Sequence, residues 1–378
     1  MKHYHYIFTG SGLSALMTVY EMVLSGRFDD KTILLIDENQ KKANDRTWCF
    51  WDDAQLFEDR ISKKWRLALF VDRGFRRELK LAPYQYKMIK GLDFYQLVFD
   101  TLSKCVNVDF VHQRVVDFRE LGAHCVVRTE SESFTCNRVF NSIYNPGIVT
   151  SQSKYPLLQQ HFIGWFIKSK EVVFTVDCAT FMDFSVGQSG NTRFMYVLPT
   201  SETEALVEYT LFSKDLLLTE EYESEIRNYL ERLGIVDYEM CGKEQGAIPM
   251  TAYPFWKHNT ESIINIGTAG GWTKASTGYT FRNTVKKSKA LVEFLQTGTD
   301  FRKYHRKSKF WFYDLLFLDV LHRRNDLGSE VFAALFKKGD PALILKFLDE
   351  ETTFWEDLQV IWKCPKGLFI RALVGRIL

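Results

Sequence analysis

The segment from Tyr4 to Glu38 constrains the fold more than any other part of the chain. Tyr4 to Thr9 is aromatic and β-branched, as a strand requires, and Gly10-Ser11-Gly12-Leu13-Ser14-Ala15 follows at once. Leu13, Leu16, Met17, Tyr20, Val23 and Leu24 then recur at the spacing of one helical face, with Gly26 placed to close the helix. Thr32 to Ile36 is a continuous apolar run, the pattern of a strand buried on both faces, and it ends in Asp37-Glu38. This is strand, G-x-G-x-x-A, helix, strand, acid. Gly10 permits the tight turn, Gly12 lets the backbone approach a pyrophosphate, and Ala15 allows helix to pack closely on strand. Leu13 and Ser14 open the helix, whose N–H groups and positive potential suit a phosphate, and Asp37 is placed to accept from ribose hydroxyls. The unit predicts dinucleotide binding.

Composition removes several other classes. Among 378 residues, 49 basic side chains stand against 47 acidic ones, a net charge of +2, which calls for no nucleic-acid partner. The seven cysteines are scattered and odd in number, without a C-x-x-C, so neither a disulfide framework nor a metal site is expected and a reducing, cytoplasmic compartment fits. No stretch reaches the roughly 18 uncharged apolar residues of a spanning helix, and no signal peptide precedes the first strand.

A catalytic nicotinamide domain would continue with regular alternation, but from Asn39 to Leu92 that rhythm is missing. A helix over Leu92 to Leu102 and a strand over Val106 to Val111 follow. Val115 to Phe118, Cys125 to Thr129 and Ser133 to Cys136 then read as a β-meander, with Arg138 to Ser142 returning to the sheet. Such a meander, with a late return to the nucleotide unit, is typical of FAD-binding folds by analogy. The return is visible in the strand Ser262 to Ile266 and in Gly267-Thr268-Ala269-Gly270-Gly271, with a helix beginning near Ser276 and Thr277. Gly267, Gly270, Gly271, Thr277 and Gly278 are therefore expected beside the cofactor. The predicted fold class is α/β with an α+β insert. Residues 1–150 and 255–300 form a Rossmann-like, discontinuous FAD-binding domain, 151–254 a β-rich substrate domain, and 301–378 a helical C-terminal region.

Within the middle region Val172 to Val176 alternates, and Arg193 to Pro199 and Ala205 to Ser213 form a predicted hairpin. Leu206, Glu208, Thr210 and Phe212 share one face of the second strand; Ala205, Val207, Tyr209 and Leu211 share the other. Both faces are apolar enough that the strand alone does not say which meets a cavity. Burial there would raise the Glu208 carboxyl pKa and suit it to donate a proton.

At this point the chain resembles the flavoprotein lycopene cyclase family, of the lycopene β-cyclase type. The resemblance rests on Gly10 to Ala15, Asn44-Asp45-Arg46-Thr47-Trp48-Cys49-Phe50-Trp51, Phe181-Met182-Asp183-Phe184 and Leu206-Val207-Glu208-Tyr209-Thr210. It continues through Glu244-Gln245-Gly246-Ala247-Ile248-Pro249-Met250, Gly267 to Trp272 and Thr277-Gly278-Tyr279. The family's F-L-E-E-T motif reads L-V-E-Y-T here. Its first acid maps to Glu208, while Tyr209 replaces the second.

The resemblance implies that lycopene or a related linear carotenoid is protonated at a terminal alkene, cyclises through a carbocation and loses a ring proton, giving β-ring products (γ- and β-carotene). β and ε rings differ only in which proton leaves, and the sequence does not separate them. It also implies reduced FAD, whose negative charge would stabilise the cation, with NAD(P)H as reductant. Glu208 becomes the expected general acid, directly or through the flavin. Asp183 and Glu244, the latter just before an expected Ile-Pro-Met turn, are further candidate carboxyls, and Arg46 a candidate cofactor contact. A second reading is an FAD-dependent monooxygenase acting on an isoprenoid or aromatic substrate; a third is a lipid-binding flavoprotein without turnover. Arg302, Lys303, Arg306, Lys307 and Lys309, ahead of Phe310 to Tyr313 and Leu315 to Leu318, suit either a peripheral membrane contact or a buried helix with a solvated basic start. The segments Val331 to Phe336 and Leu343 to Leu348 read as packing helices.

Overall fold

The structure, a computed structural model, describes residues 1–305 and 307–377; Arg306 of the basic stretch lies outside the described residues. The buried Ile33–Ile36 strand pairs in parallel with Lys2–Thr9 on one side and Val108–Val111 on the other. The sheet runs on from Lys2–Thr9 to Ser133–Asn141, His124–Thr129 and Val115–Leu121. Ser133–Asn141 is one continuous strand, where two segments were expected. Its first half takes the antiparallel meander, and its last residues take the returning strand Ile263–Asn265 in parallel. The helix Leu13–Ser25 ends at Gly26 with φ +62°, and it packs on the later helix Phe281–Thr297. That later helix begins beyond the expected Ser276, because residues 267–270 form a 3-10 turn and the chain winds on to Thr280 before its N–H groups align.

A second seven-stranded sheet runs Tyr238–Met250, Leu158–Ser169, Glu204–Ser213, Thr192–Pro199, Cys178–Asp183, Leu67–Asp72, Phe75–Lys80. Its last two strands come from the stretch between Asn39 and Leu92. That stretch holds five short strands rather than irregular chain, and it lends two of them to the substrate layer. The boundary drawn at residue 150 therefore does not follow the sheets. Thr47–Asp52, Gln85–Lys90 and Lys63–Trp65 make a small third sheet. Val172 to Val176 is not a strand; Val173 and Phe174 donate to one carbonyl, Glu202, instead of entering a ladder. Ile248 to Met250 is no turn either. Pro249 is tolerated within Tyr238–Met250 because that strand is an edge.

One face of the second sheet packs on the helix Thr219–Arg232, through Val207, Tyr209 and Leu211 against Tyr222, Ile226 and Tyr229. The opposite face meets the C-terminal helices Lys309–Arg324, Gly328–Lys338 and Pro341–Leu348. The aromatic segment proposed for membrane contact belongs to this inner layer: Phe310, Leu315, Leu318 and Leu321 are buried, and Trp311 Nε1 donates to the Ala252 carbonyl. Buried ion pairs tie these helices to the 271–282 loop. Lys274 reaches Asp314 and Glu350 at 3.0 and 2.9 Å, and Arg282 reaches Asp349 at 2.5 Å. No helix among the described residues is long and apolar enough to cross a membrane.

Trp65 is fully buried between the small sheet and the second one, lies tilted against Tyr86 with ring centroids 5.9 Å apart and donates Nε1–H to the Pro199 carbonyl at 2.9 Å. Trp65→Ala is expected to lower unfolding free energy by about 3–5 kcal/mol, measured by urea titration.

Candidate active site

A cavity of about 560 Å³ runs between the two large sheets. One end is lined by Gly12, Leu13, Arg46 and Thr47; the other by Phe194, Phe212, Phe332, Phe336 and Leu345. The glycine loop shapes the first end. Gly10 has φ +93°, and a Cβ there would stand 2.4 Å from Ser142 Oγ, so the turn requires glycine. A Cβ on Gly12 would meet nothing within 4 Å, which leaves its backbone open to a ligand. Ala15 is fully buried in the first turn of the helix, and Ser14 packs on Gly267. Asp37 stands beyond the tip of its strand, but one carboxylate oxygen is taken up by Ser11, accepting from its N–H at 2.6 Å and its hydroxyl at 3.0 Å. The other oxygen accepts from the Asn39 N–H at 2.8 Å, so the acid closes the loop and does not itself line the cavity.

The late glycines divide in the same way. Gly267 and Gly271 adopt φ +60° and +67°, and a Cβ on Gly270 would lie 2.1 Å from the Asn265 carbonyl oxygen. These three shape the turn, while Thr268, Thr273, Thr277 and Gly278 supply the cavity wall. Beneath it, Thr9, Asn141, Asn265 and Asn259 hydrogen-bond in a chain across the strand ends. Two buried atoms on the wall, Thr277 Oγ1 and Gln160 Oε1, have no protein partner. A buried polar atom without a partner is unfavourable, so both fit a ligand that completes them.

Of the two faces of the Glu204–Ser213 strand, the one carrying Leu206, Glu208, Thr210 and Phe212 lines the cavity. Glu208 is 6% exposed. Its only neighbour across the sheet toward the edge is Gly164, which in turn pairs with Glu244, so Glu208, Gly164 and Glu244 form one rung. Two strand spacings put the two glutamate Cα atoms roughly 10 Å apart. The missing side chain at Gly164 clears the space between them; a Cβ there would sit 2.8 Å from Leu206 Cδ1 and 3.3 Å from Glu208 Cβ. Desolvation pushes the Glu208 carboxyl up to about 8, with the charge of Glu244 adding to the rise and a hydrogen bond from Thr210 opposing it. Thr210 Oγ1 donates to Oε1 at 2.5 Å, which leaves Oε2 to carry the proton. Glu244 is also raised by burial, against a hydrogen bond from Thr47 at 2.7 Å and the nearby Arg46 charge.

Asp183 is not part of this group. Its carboxylate accepts from Tyr229 Oη and from the Ser185 N–H, both at 2.9 Å, toward the Thr219–Arg232 helix on the far face of the sheet. The pairing gives it a structural explanation.

Sequence reasoning missed three tyrosines. Tyr86 Oη lies 2.5 Å from Tyr196 Oη and 3.1 Å from Tyr279 Oη. Tyr196 pairs with Glu208 on the neighbouring strand, and Tyr196 and Tyr279 line the cavity. Burial raises all three phenols, so they stay neutral, and Tyr196 and Tyr279 share the cavity wall with the carboxyl. The residues come from separate parts of the chain, so no local pattern brings them together.

A family profile described as "Lycopene cyclase protein" matches residues 6–373. The chain is 24% identical over 286 residues to a lycopene beta-cyclase of Pantoea ananas, covering 73% of this chain and 71% of that protein. Among solved structures it resembles a flavoprotein/dehydrogenase from Cytophaga hutchinsonii, with TM-score 0.66 and 12% identity over 99% and 100% of the two chains. It also resembles a variant of Klebsiella pneumoniae HpxO complexed with FAD, with TM-score 0.58 and 14% identity over 97% and 100%. These likenesses establish a fold shared with FAD-type flavoproteins.

Because the folded state binds the Glu208 proton more tightly than the unfolded state does, its contribution to stability is expected to fall as pH rises from about 4.5 to about 8. Glu208→Gln is expected to remove that slope and to melt no lower than the parent protein at about pH 9, measured by calorimetry across pH. In difference infrared spectra the parent protein is expected to show a protonated carboxyl band at neutral pH that the variant lacks.

Proposed function

The chain belongs to the lycopene cyclase family, and from that premise we propose that it closes β-type rings on lycopene or a related linear carotenoid, as an isomerase without net redox change. One observation carries the reading: a buried carboxyl with an elevated pKa faces the apolar part of a cavity whose other end is a dinucleotide-type glycine loop.

Protonating a hydrocarbon needs an acid that is neutral at working pH and a site that keeps water from the cation. Glu208 meets the first condition. Phe194, Phe212, Phe332 and Phe336 meet the second by lining the space around it. In the proposed sequence Oε2 of Glu208 gives its proton to a terminal alkene. The neighbouring alkene attacks the resulting cation and closes the ring, and the Glu208 carboxylate then takes up a ring proton, so acid and substrate each gain and lose one proton and the mass is unchanged. The faces of Tyr196 and Tyr279 stabilise the positive charge. Glu244 acts on Glu208 through its charge and is the second carboxyl on the same face.

FAD fits the glycine-loop end: Gly10, Gly12, Leu13, Ser14, Ala15 and Asp37 form or support the turn, Arg46, Thr277 and Gly278 line the wall, and the unpartnered Thr277 Oγ1 and Gln160 Oε1 await a ligand. Bound in reduced form, with NAD(P)H as the reductant, it would supply negative charge toward the developing cation. The substrate resides in lipid, so we place the chain peripherally at a membrane.

A monooxygenase reading draws support from the likeness to hydroxylase-type flavoproteins. The two separate in one experiment: anaerobic incubation with lycopene in liposomes and prereduced FAD is expected to give ringed products of unchanged mass. Products that form only in air and carry added oxygen would overturn the cyclase reading. Glu208→Gln is expected to cut ring formation by roughly 100-fold or more while flavin absorbance of the purified protein is retained, measured by product chromatography.

A further inference from the structure

Buried helices account for the aromatic segment at 309–318, yet large apolar side chains do reach the surface further on. Phe354, Trp355, Leu358 and Trp362 are exposed, the two tryptophans at 73% and 70%. On the helix Phe354–Ile361 and its cap they fall within one arc of about 100°. The next helix, Lys366–Ile377, shows Ile370, Val374 and Ile377 on a second outward stripe. Each helix also has an inner side that holds it in place: Val360 and Asp357 are buried in the first, Ala372 is buried in the second, and Arg376 forks onto Asp319 with two contacts of 2.6 Å. The exposed stripes are therefore held rigidly outward.

Charge on this surface has one sign. From Leu358 to Ile377 the chain carries Lys363, Lys366, Arg371 and Arg376 and no Asp or Glu. The acids just before are engaged, Glu356 with Lys346 at 2.6 Å and Asp357 with Lys309 at 2.5 Å. Lys366 and Arg371 flank the Ile370 stripe at helical spacing, and Lys366 Nζ lies 3.6 Å from the centroid of the Trp362 ring. No carboxylate among the described residues pairs with Lys363, Lys366 or Arg371.

We propose that the outward faces of these two C-terminal helices seat the protein on an anionic lipid bilayer. Exposed tryptophans enter the interface, aliphatic side chains enter below them, and the lysines and arginine meet lipid phosphates. The proposal supplies a surface for the membrane association put forward above, but its argument rests on exposure and charge and holds whatever the substrate. It brings lipid near the helices Gly328–Lys338 and Pro341–Leu348, whose Phe332, Phe336 and Leu345 bound the apolar end of the cavity.

The test is flotation of the full-length protein with vesicles of equimolar phosphatidylcholine and phosphatidylglycerol, beside vesicles of phosphatidylcholine alone. The protein is expected to float with the anionic vesicles and to be released by added salt. Trp355→Ala with Trp362→Ala, and separately Lys363→Glu with Lys366→Glu, are each expected to weaken binding roughly tenfold or more. All four side chains are exposed, so both variants are expected to keep the parent melting temperature; the charge pair decides the matter if the tryptophan pair does not. No flotation of the parent protein overturns the proposal. Flotation unchanged in both variants assigns membrane contact to another surface and overturns it too, while leaving membrane association standing. A dimer in velocity sedimentation that the tryptophan substitutions dissociate would assign the face to a second copy of the chain instead. Ring formation is assayed separately, so its failure would leave the vesicle result intact.

Discussion

Removal of the Glu208 carboxyl from water is the constraint around which the cavity is organised. A carboxylate is strongly disfavoured in an apolar setting, so a group held there keeps its proton well into the neutral range. Keeping that state takes more than burial. The strand must direct Glu208 to the inner face, and Gly164 must leave the rung open toward Glu244, whose charge adds to the rise, while the Thr210 hydrogen bond orients one oxygen and works against it. The phenylalanines of the C-terminal helices close the same space from above. Each of these contributions comes from a different element, which is why the carboxyl depends on the whole second sheet and its cover.

The cover is fixed by charge. Lys274 and Arg282 bind carboxylates at the start and end of the C-terminal layer, and both sit next to the cavity wall at 268–280. Buried pairs of this kind gain little by themselves, but leaving one partner alone is costly. They therefore hold the C-terminal helices in register with the loop that faces the cofactor space.

Short-range features were legible in the sequence. The glycine turn, the helix closed at Gly26, the buried Ile33–Ile36 strand and the hairpin carrying Glu208 all depend on neighbouring residues, and all are present. The face of Glu208 was not legible, because both faces of its strand are packed, one on the Thr219–Arg232 helix and one around the cavity. Asp183 looked equivalent to Glu244 as a carboxyl in a shared block; only the partner Tyr229, distant in sequence, separates them. The same holds for the tyrosine cluster. In the C-terminal region the basic then aromatic residues suited either a membrane contact or a buried helix, and only packing shows that this apolar segment is covered while the later stripe is not.

The hairpin Leu67–Lys80 leaves the nucleotide-side chain to complete the second sheet, with Leu67–Asp72 lying parallel to Cys178–Asp183. Backbone hydrogen bonds thus stitch the two layers together, in addition to the chain crossings near residues 150 and 255. A clam-like opening would therefore also have to bend the short links at residue 66 and at 81–84, which tie the halves more closely than those crossings alone. Grafting the 151–254 segment alone onto another flavoprotein would leave its sheet with a raw edge at Cys178–Asp183.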